Sequence, residues 1–318
     1  MMSNKISIVL STFNGESFLE EQLDSILNQT VQPDEVLVRD DCSNDGTLAI
    51  LRDYMERHDL YSQGWLLYEG HSNLGWKRSF HDLIMSSRGD YIFPCDQDDV
   101  WRPEKIETMV GIMDASSDID LLACSVEPLY EEGSQKVASA TDERKGNVDD
   151  AFRPFELDAR FMYVNRPGCS YCIRRTFVDE IKHYWNREWP HDAVLWRLAA
   201  IKGTLGLLDK QLVTFRRHAS NASSRKMTDR RSRLAVARYY IENVEMLQRF
   251  AEGSDNCNPN VYKLLCEMRI WLHARADFLD GKQRARNLLE MALGRRFYSG
   301  WKGFFMDVAL GLVPGVHL

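Results

Sequence analysis

Two hydrophobic periods alternate along the first part of the chain. "KISIVL" (5–10) is a short apolar, β-branched run, and "SFLEEQLDSILNQ" (17–29) follows it with Leu19, Leu23, Ile26 and Leu27 at helical spacing. Ser17 and Glu20 stand at the head of that stretch with the spacing of a capping box. "DEVLVRDDCSNDG" (34–46) then predicts a second strand, broken by Asp, Asn and Gly, with a helix over Thr47 to Arg57 and a strand in "GWLLYEG" (64–70). "WKRSFHDLIMSSRGD" (76–90) predicts a helix ending at Gly89, and "YIFPC" (91–95) a buried strand. Pro103 occupies the favoured first position of the next helix, in which Ile106, Met109, Val110 and Met113 share a face. "IDLLACSV" (119–126) is the strand after it.

This alternation implies a parallel sheet covered by helices on both sides and joined by right-handed crossovers. Residues 127–166 are polar and irregular, which predicts an excursion or lid. The pattern resumes with a strand and helix in "PGCSYCIRRTFVDEI" (167–181) and a helix in "WPHDAVLWRLAAIKG" (189–203) that starts with His191 and Asp192. Two strands, "GTLGLL" (203–208) and "QLVTFRRH" (211–218), complete it. Beyond about residue 225 only helical periods remain. The expected organisation is therefore an α/β domain over 1–225 and a helical region over 226–318.

In open parallel sheets, ligands bind outside the carboxyl ends of the strands. Three polar clusters fall there: Ser11 to Asn14, Asp40 with Asp41, and Asp96 to Asp99. The last sits in "YIFPCDQDDVWRP" (91–103), where an apolar strand runs straight into three aspartates. Like charges this close repel one another unless something positive joins them. A solvated turn explains the cluster blandly; a bound Mg²⁺ or Mn²⁺ explains it by chemistry, because clustered oxygens suit those ions. Expected convergence of the three clusters on one crevice favours the ion.

Charge narrows the partners. Residues 226–318 hold 15 Lys and Arg against 10 Asp and Glu, whereas the first 225 hold 25 against 37. An acidic main body argues against nucleic acid. The basic, aromatic C-terminal stretch "RRFYSGWKGFFMDVALGLVPGVHL" (295–318) suits an anionic membrane surface, a helical cap or a homo-oligomer contact. Its apolar run is too short to span a bilayer. The opening stretch reads as a first strand and not a signal peptide, and seven scattered cysteines fit a reducing compartment. Cytoplasmic placement is expected, with peripheral attachment to the inner membrane as one use of the tail. Cys169 and Cys172 form a lone C-x-x-C with no second pair at zinc-finger spacing, so core cysteines are expected.

Four segments in order resemble family 2 glycosyltransferases of the GT-A, nucleotide-diphospho-sugar transferase fold: "ISIVLSTFNGESFLEEQLDSILNQT", "VLVRDDCSNDGT", "NLGWKRSFHDLIMSSRGD" and "YIFPCDQDDVWRPEKI". The resemblance covers about the first 225 residues. It implies a Rossmann-like, mostly parallel sheet flanked by helices, with a C-terminal helical extension added to it. Ser11, Phe13, Asp41 and Asp96 would bind the donor nucleotide, Asp98 would be the direct metal ligand of the Asp-x-Asp pair, and His218 in "RRH" would complete the metal shell. Asp192 would be the catalytic base. Arg216, Arg217, Trp189 and His191 are candidate phosphate or acceptor contacts. The implied activity is inverting, Mn²⁺- or Mg²⁺-dependent transfer of a sugar to a glycan or lipid-linked glycan acceptor. "GDYIFPCDQDDVWRPEKI", the "PHD" helix start and "RRH" most resemble bacterial rhamnosyltransferases of surface-polysaccharide assembly, which use dTDP-rhamnose. A UDP-hexose or UDP-N-acetylhexosamine donor is the alternative with the same chemistry. A nucleotidyltransferase would want a glycine-rich, basic first loop, which "STFNGES" is not. A glycan-binding protein with a dead site is opposed by the joint presence of Asp96, Asp98 and Asp192.

Overall fold

The computed structural model describes residues 4–131, 151–218, 229–253 and 258–312. The chain forms two compact units, one from Met1–Phe155, Val164–Ala199 and Gly203–Asn221, the other from Glu156–Tyr163, Ala200–Lys202 and Ala222–Leu318. The sequence boundary expected near residue 225 lies outside the described residues.

The first unit is built on a nine-stranded sheet: β1 (Ile6–Thr12), β2 (Glu35–Asp40), β3 (Trp65–Glu69), β4 (Tyr91–Asp96), β5 (Val100–Trp101), β6 (Leu121–Tyr130), β7 (Phe152–Pro154), β8 (Tyr171–Arg174) and β9 (Leu205–Arg217). Their order is β3-β2-β1-β4-β8-β6-β9-β5, with β7 added on β9. β3, β2, β1 and β4 are mutually parallel, as are β6 and β9, and these pairings carry most of the register. The mostly parallel sheet expected from the sequence is found; its antiparallel members are β8, between β4 and β6, and the short β5 and β7. The helices are α1 (Leu19–Leu27), α2 (Thr47–Arg57), α3 (Trp76–Ser86), α4 (Lys105–Ala115), α5 (Arg175–Ile181) and α6 (His191–Lys202). Ile8, Leu10, Val36, Val38 and Phe93 meet Leu19, Leu23, Ile26, Leu51, Ile106 and Met109 in one core. Alternate strand residues thus face the helical stripes read from the sequence.

Several local expectations give way to tertiary contacts. The Ser17–Glu20 capping box does not form: α1 starts at Leu19, Phe18 takes the cap position without a side-chain bond, and the N–H groups of Phe18 and Leu19 donate to Gly15 O. α3 stops at Ser86, short of Gly89: Ser87 turns extended, and Arg175 (3.1 Å) and Ser87 Oγ (2.8 Å) donate to the freed Ile84 carbonyl. Gly89 serves packing instead, since a Cβ there would lie 2.4 Å from Ser7 Oγ. α4 begins at Lys105, two residues after Pro103, whose carbonyl accepts a hydrogen bond from Thr30 N (2.9 Å). The two final strands are one, β9, held to β6 through a register shift near Ser125. The irregular stretch 127–166 begins inside β6 and contains β7; residues 132–150 within it lie outside the described set.

The second unit holds α7 (Arg230–Gly253), α8 (Pro259–Leu279), α9 (Arg284–Leu293) and α10 (Trp301–Leu312). Asn258 caps α8 through its side chain (Asn260 N, 2.9 Å), with Pro259 in the first turn. Asp307 is fully buried and accepts from Arg275 Nε (2.6 Å), from Tyr298 Oη (2.9 Å) and from Arg233. Buried charge persists where it is paired and hydrogen-bonded in this way. Tyr163 Oη donates to Phe297 O (3.0 Å) within the same unit.

Candidate active site

Parallel pairing brings the ends of β1, β2 and β4 side by side. Ser11, half-buried, sits in register with Asp96 on one side and Arg39 on the other. The loops beyond are stitched together. Gln97 clamps the Phe13 backbone, accepting from its N–H (2.7 Å) and donating to its carbonyl (3.1 Å). Gly15 lets the Gln97 amide lie close to the loop, since a Cβ there would displace it. Asn14, at φ 49°, accepts from Asn44 N (2.8 Å). Phe13 is left 40% exposed on this rigid loop. Gln97, between the two Asp-x-Asp carboxylates, was missed in the sequence because polar loop residues carry no periodic signal.

Asp40 and Asp41 divide their work. Asp40 accepts from Thr12 Oγ1 (3.1 Å) and Ser43 Oγ (2.6 Å) and so fixes the turn after β2. Asp41, 1% exposed, accepts from the N–H groups of Leu74 (2.9 Å) and Gly75 (2.7 Å), with Arg39 at 3.5 Å. It therefore anchors the turn into α3, where Gly75 adopts φ 83°.

The acidic cluster is assembled from the end of β4, the turn between β4 and β5, the turn before β8 and the end of β9. Asp98 Oδ2 lies 2.7 Å from His218 Nε2, although 120 residues separate them. Asp99 is buried; its Oδ1 accepts from Arg216 N (3.0 Å), and its Oδ2 has no hydrogen-bond partner among the described residues. Asp96, Asp99 and Cys169 present ligand-type atoms within 4.8 Å of one another. Burial first, then the charges of Asp99, Asp98 and Asp192, push the Asp96 carboxyl well above the usual carboxylate range. Asp99 is raised to about 7, by burial and by Asp98. Cys169 is raised well above an ordinary thiol by burial and the two aspartates, which keeps it neutral. It is thus a thiol beneath the acidic cluster, and Cys172 is a core residue.

Two cations brace these acids from behind. Arg216 is buried; its Nε donates to Asp98 O (2.9 Å), its guanidinium pairs with Glu21 and Glu131, and it lies 4.6 Å from the Phe18 ring. Strand alternation left open which of Arg216 and Arg217 points inward. Arg216 does, while the Arg217 guanidinium lies 4.6 Å from Phe215. Lys105, which the helical pattern gave no reason to single out, is fully buried. It donates to Cys169 O (2.8 Å) and sits 3.2 Å from the Trp101 ring.

α6 begins beside this cluster. Asp192 lies in its first turn, half-buried, and its charge is felt at Asp96. Trp189 and His191, expected as contacts for phosphate or acceptor, are both buried. The His191 ring lies 4.2 Å from Phe80, tilted, and meets Trp76 edge-on at 6.1 Å, and both ring nitrogens are buried without partners among the described residues. Gly168 leaves room for the ring, since a Cβ there would be 2.1 Å from Nε2. The pair supports the start of α6 and so places Asp192.

Burial lowers the His191 pKa to about 4. A depressed histidine pKa leaves the fold fully stable above the unfolded value near 6.5. Stability is then lost as pH falls towards 4, because the unfolded chain takes the proton first. The loss from this one group is on the order of 2–3 kcal/mol at pH 4.5. Urea midpoints at pH 7.5 and 4.5 should show His191→Gln losing less stability on acidification than the parent by about that amount. Parallel losses would mean that the ring is protonated in the fold.

The model for glycosyl transferase family 2 matches residues 7–174, more than half of the chain, and spans the whole Ser11–Asp99 crevice. The chain belongs to this family. Among its relatives are the dTDP-rhamnosyl transferase RfbG of Shigella flexneri, 28% identical over 223 residues (67% of this chain, 72% of that one), and an uncharacterized Mycobacterium tuberculosis protein, 26% identical over 238 residues. The match spans 71% of this chain but only 62% of the mycobacterial relative's length. The structure is similar to S. aureus TarS 1–349 in complex with UDP (TM-score 0.58, 16% identity, covering 91% of this chain and 80% of that one). It is also similar to the Pyrobaculum calidifontis mannosyltransferase PcManGT in complex with GDP-Man and Mn²⁺ (TM-score 0.51, 16% identity, covering 98% and 86%). The first unit thus has the GT-A fold of family 2, with helices following it.

The family's divalent metal can be tested against the residues present. A carboxylate oxygen and an imidazole nitrogen converge at 2.7 Å (Asp98, His218), and two neighbouring carboxyls, Asp96 and Asp99, are held at raised pKa by burial first and then by neighbouring carboxylate charge. Oxygen and imidazole donors beside excess negative charge suit Mn²⁺ or Mg²⁺. The donor set fits.

Proposed function

We propose that this chain is an inverting, metal-dependent glycosyltransferase that moves a sugar, L-rhamnose from dTDP-rhamnose in the first instance, to a glycan acceptor of bacterial surface polysaccharide. The observation that carries the reading is the meeting of Asp98 and His218 beside Asp96 and Asp192, at the carboxyl ends of β1 and β4 in a family 2 fold. Ser11 and Phe13 offer a ledge for the nucleotide, and Asp41, at the end of the neighbouring β2, holds the turn into α3. The acceptor hydroxyl attacks the anomeric carbon as its proton passes to the Asp192 carboxylate. The bond from that carbon to the phosphate oxygen breaks, and its electron pair leaves with the nucleoside diphosphate. A divalent ion held by Asp98 and His218 would offset the charge developing on that leaving group. Arg216 is committed to Glu21 and Glu131, so its part is to hold Asp98 and Asp99 in place.

The similarity to RfbG favours dTDP-rhamnose. A UDP-hexose or UDP-N-acetylhexosamine is the second reading, supported by the likeness to a fold whose relative was captured with UDP-GlcNAc. Release of nucleoside diphosphate with water as acceptor separates them. With Mn²⁺ present, dTDP should appear from dTDP-rhamnose at least about tenfold faster than UDP from UDP-GlcNAc or GDP from GDP-mannose. Faster UDP release would transfer the donor assignment to a UDP-sugar. A folded protein that binds none of the three would be the glycan binder with a dead site.

A further inference from the structure

α10 is apolar on two faces. Asp307, Leu310 and Gly311 are buried on one. On the other, Trp301, Phe305, Val308 and Leu312 recur at i, i+4, i+7 and i+11, a single stripe along the helix. Trp301 is 57% and Phe305 60% exposed, and their rings stack at 5.8 Å. α9 adds Leu289 and Leu293, the latter 71% exposed. Exposed aliphatic and aromatic area gathered in this way marks a contact surface.

Charge identifies what the surface fits. Six Lys and Arg lie between Lys282 and Leu312 against two acids, Glu290 and Asp307, and Asp307 is buried against Arg233 and Arg275. Lys282 pairs with Asp277 and Asp280, and Arg296 with Glu267, so the outward basic excess comes from the exposed Arg284, Arg286, Arg295 and Lys302. The Arg295 guanidinium sits 4.9 Å from the Trp301 ring, and Lys302 is exposed beside it. Twelve residues make a helix about 18 Å long against a hydrocarbon core of about 30 Å. Among the described residues no helix is long and apolar enough to cross a membrane.

We propose that this face of α10, with the end of α9, docks on the surface of an anionic lipid bilayer, its rings at headgroup depth and its arginines and lysines on the phosphates. A second copy of the chain fits less well, because a two-fold contact would set basic surface against basic surface. The proposal gives a partner to the enzyme proposed above but does not depend on the donor chemistry.

Co-sedimentation of the full chain with vesicles tests it. Vesicles of phosphatidylcholine with about 30% phosphatidylglycerol should bind at least about tenfold more protein than phosphatidylcholine alone, with the difference shrinking at high salt. The Trp301→Ala/Phe305→Ala double variant should lose about tenfold in binding. Arg295→Gln and Lys302→Gln should each lose about fivefold, on the anionic vesicles only. All four side chains are solvent-facing, so an unchanged melting temperature and unchanged nucleotide binding serve as controls. Absence of binding to either vesicle, or equal binding by the aromatic double variant, overturns the proposal. So does a dimer seen by sedimentation velocity without lipid that the same double variant dissociates, which would make the face a contact between copies.

Discussion

Asp192→Asn should lose about 10²- to 10⁴-fold in kcat, the usual contribution of a positioned general base, while donor affinity changes by less than about twofold. The amide is close to isosteric and its oxygen can still accept from Ala193 N, as the carboxylate does at 2.7 Å. The first turn of α6 and the packing of His191 beneath Gly168 are therefore kept. What is removed is the ability to take a proton from the acceptor hydroxyl. Removing negative charge beside Asp96 also relieves part of the repulsion there, so donor binding has no reason to weaken. Single-turnover kinetics with nucleotide titration gives both numbers. Full activity in the variant would move the base to another group. A matched collapse of binding and rate would make Asp192 a positioning residue for the donor.

The strand-helix order was legible because its cause is local: periods of two and of 3.6 alternate with Gly, Pro and Asp punctuation, and each buried face matches its period. What the sequence hid came from distant contacts. β8 reads as a strand in "SYCIR", yet its antiparallel placement between β4 and β6 depends on which edges are open. The Ser17–Glu20 pair has the spacing of a cap, but Gly15 O takes the first N–H groups. In the site, Asp96, Asp98 and Asp192 stood out as carboxylates at element ends, where polar residues in an apolar pattern need a reason. Asp98 meeting His218 could be anticipated only through the family resemblance, since 120 residues separate them. His191 and Trp189, candidate phosphate or acceptor contacts beside Asp192, are both buried. A histidine's burial is set by partners such as Phe80 and Gly168, which adjacency in sequence does not indicate. Lys105 and Gln97 sent no signal at all, one being an ordinary lysine at a helix start and the other a glutamine between aspartates.

The second large effect is at Asp98. Its carboxylate faces the His218 ring, while its backbone carbonyl independently accepts from Arg216 Nε (2.9 Å), so Asp98→Ala deletes the ligand and leaves the brace. Asp96 and Asp99 remain, yet both are held at raised pKa, and Asp99 is buried with Cys169, so neither replaces a carboxylate already pointed at the imidazole. Loss of a direct ligand should exceed the 10–100-fold typical of residues that only orient one, so Mn²⁺-supported donor affinity should fall by at least about 100-fold. Titration calorimetry of dTDP-rhamnose into the parent and Asp98→Ala proteins, each with Mn²⁺ and with chelator, measures this directly. The expected result is tight binding by the parent with Mn²⁺ alone, with chelator and substitution each reducing it to the same weak level. Equal binding in all four conditions would contradict a metal-assisted donor site at Asp98 and His218.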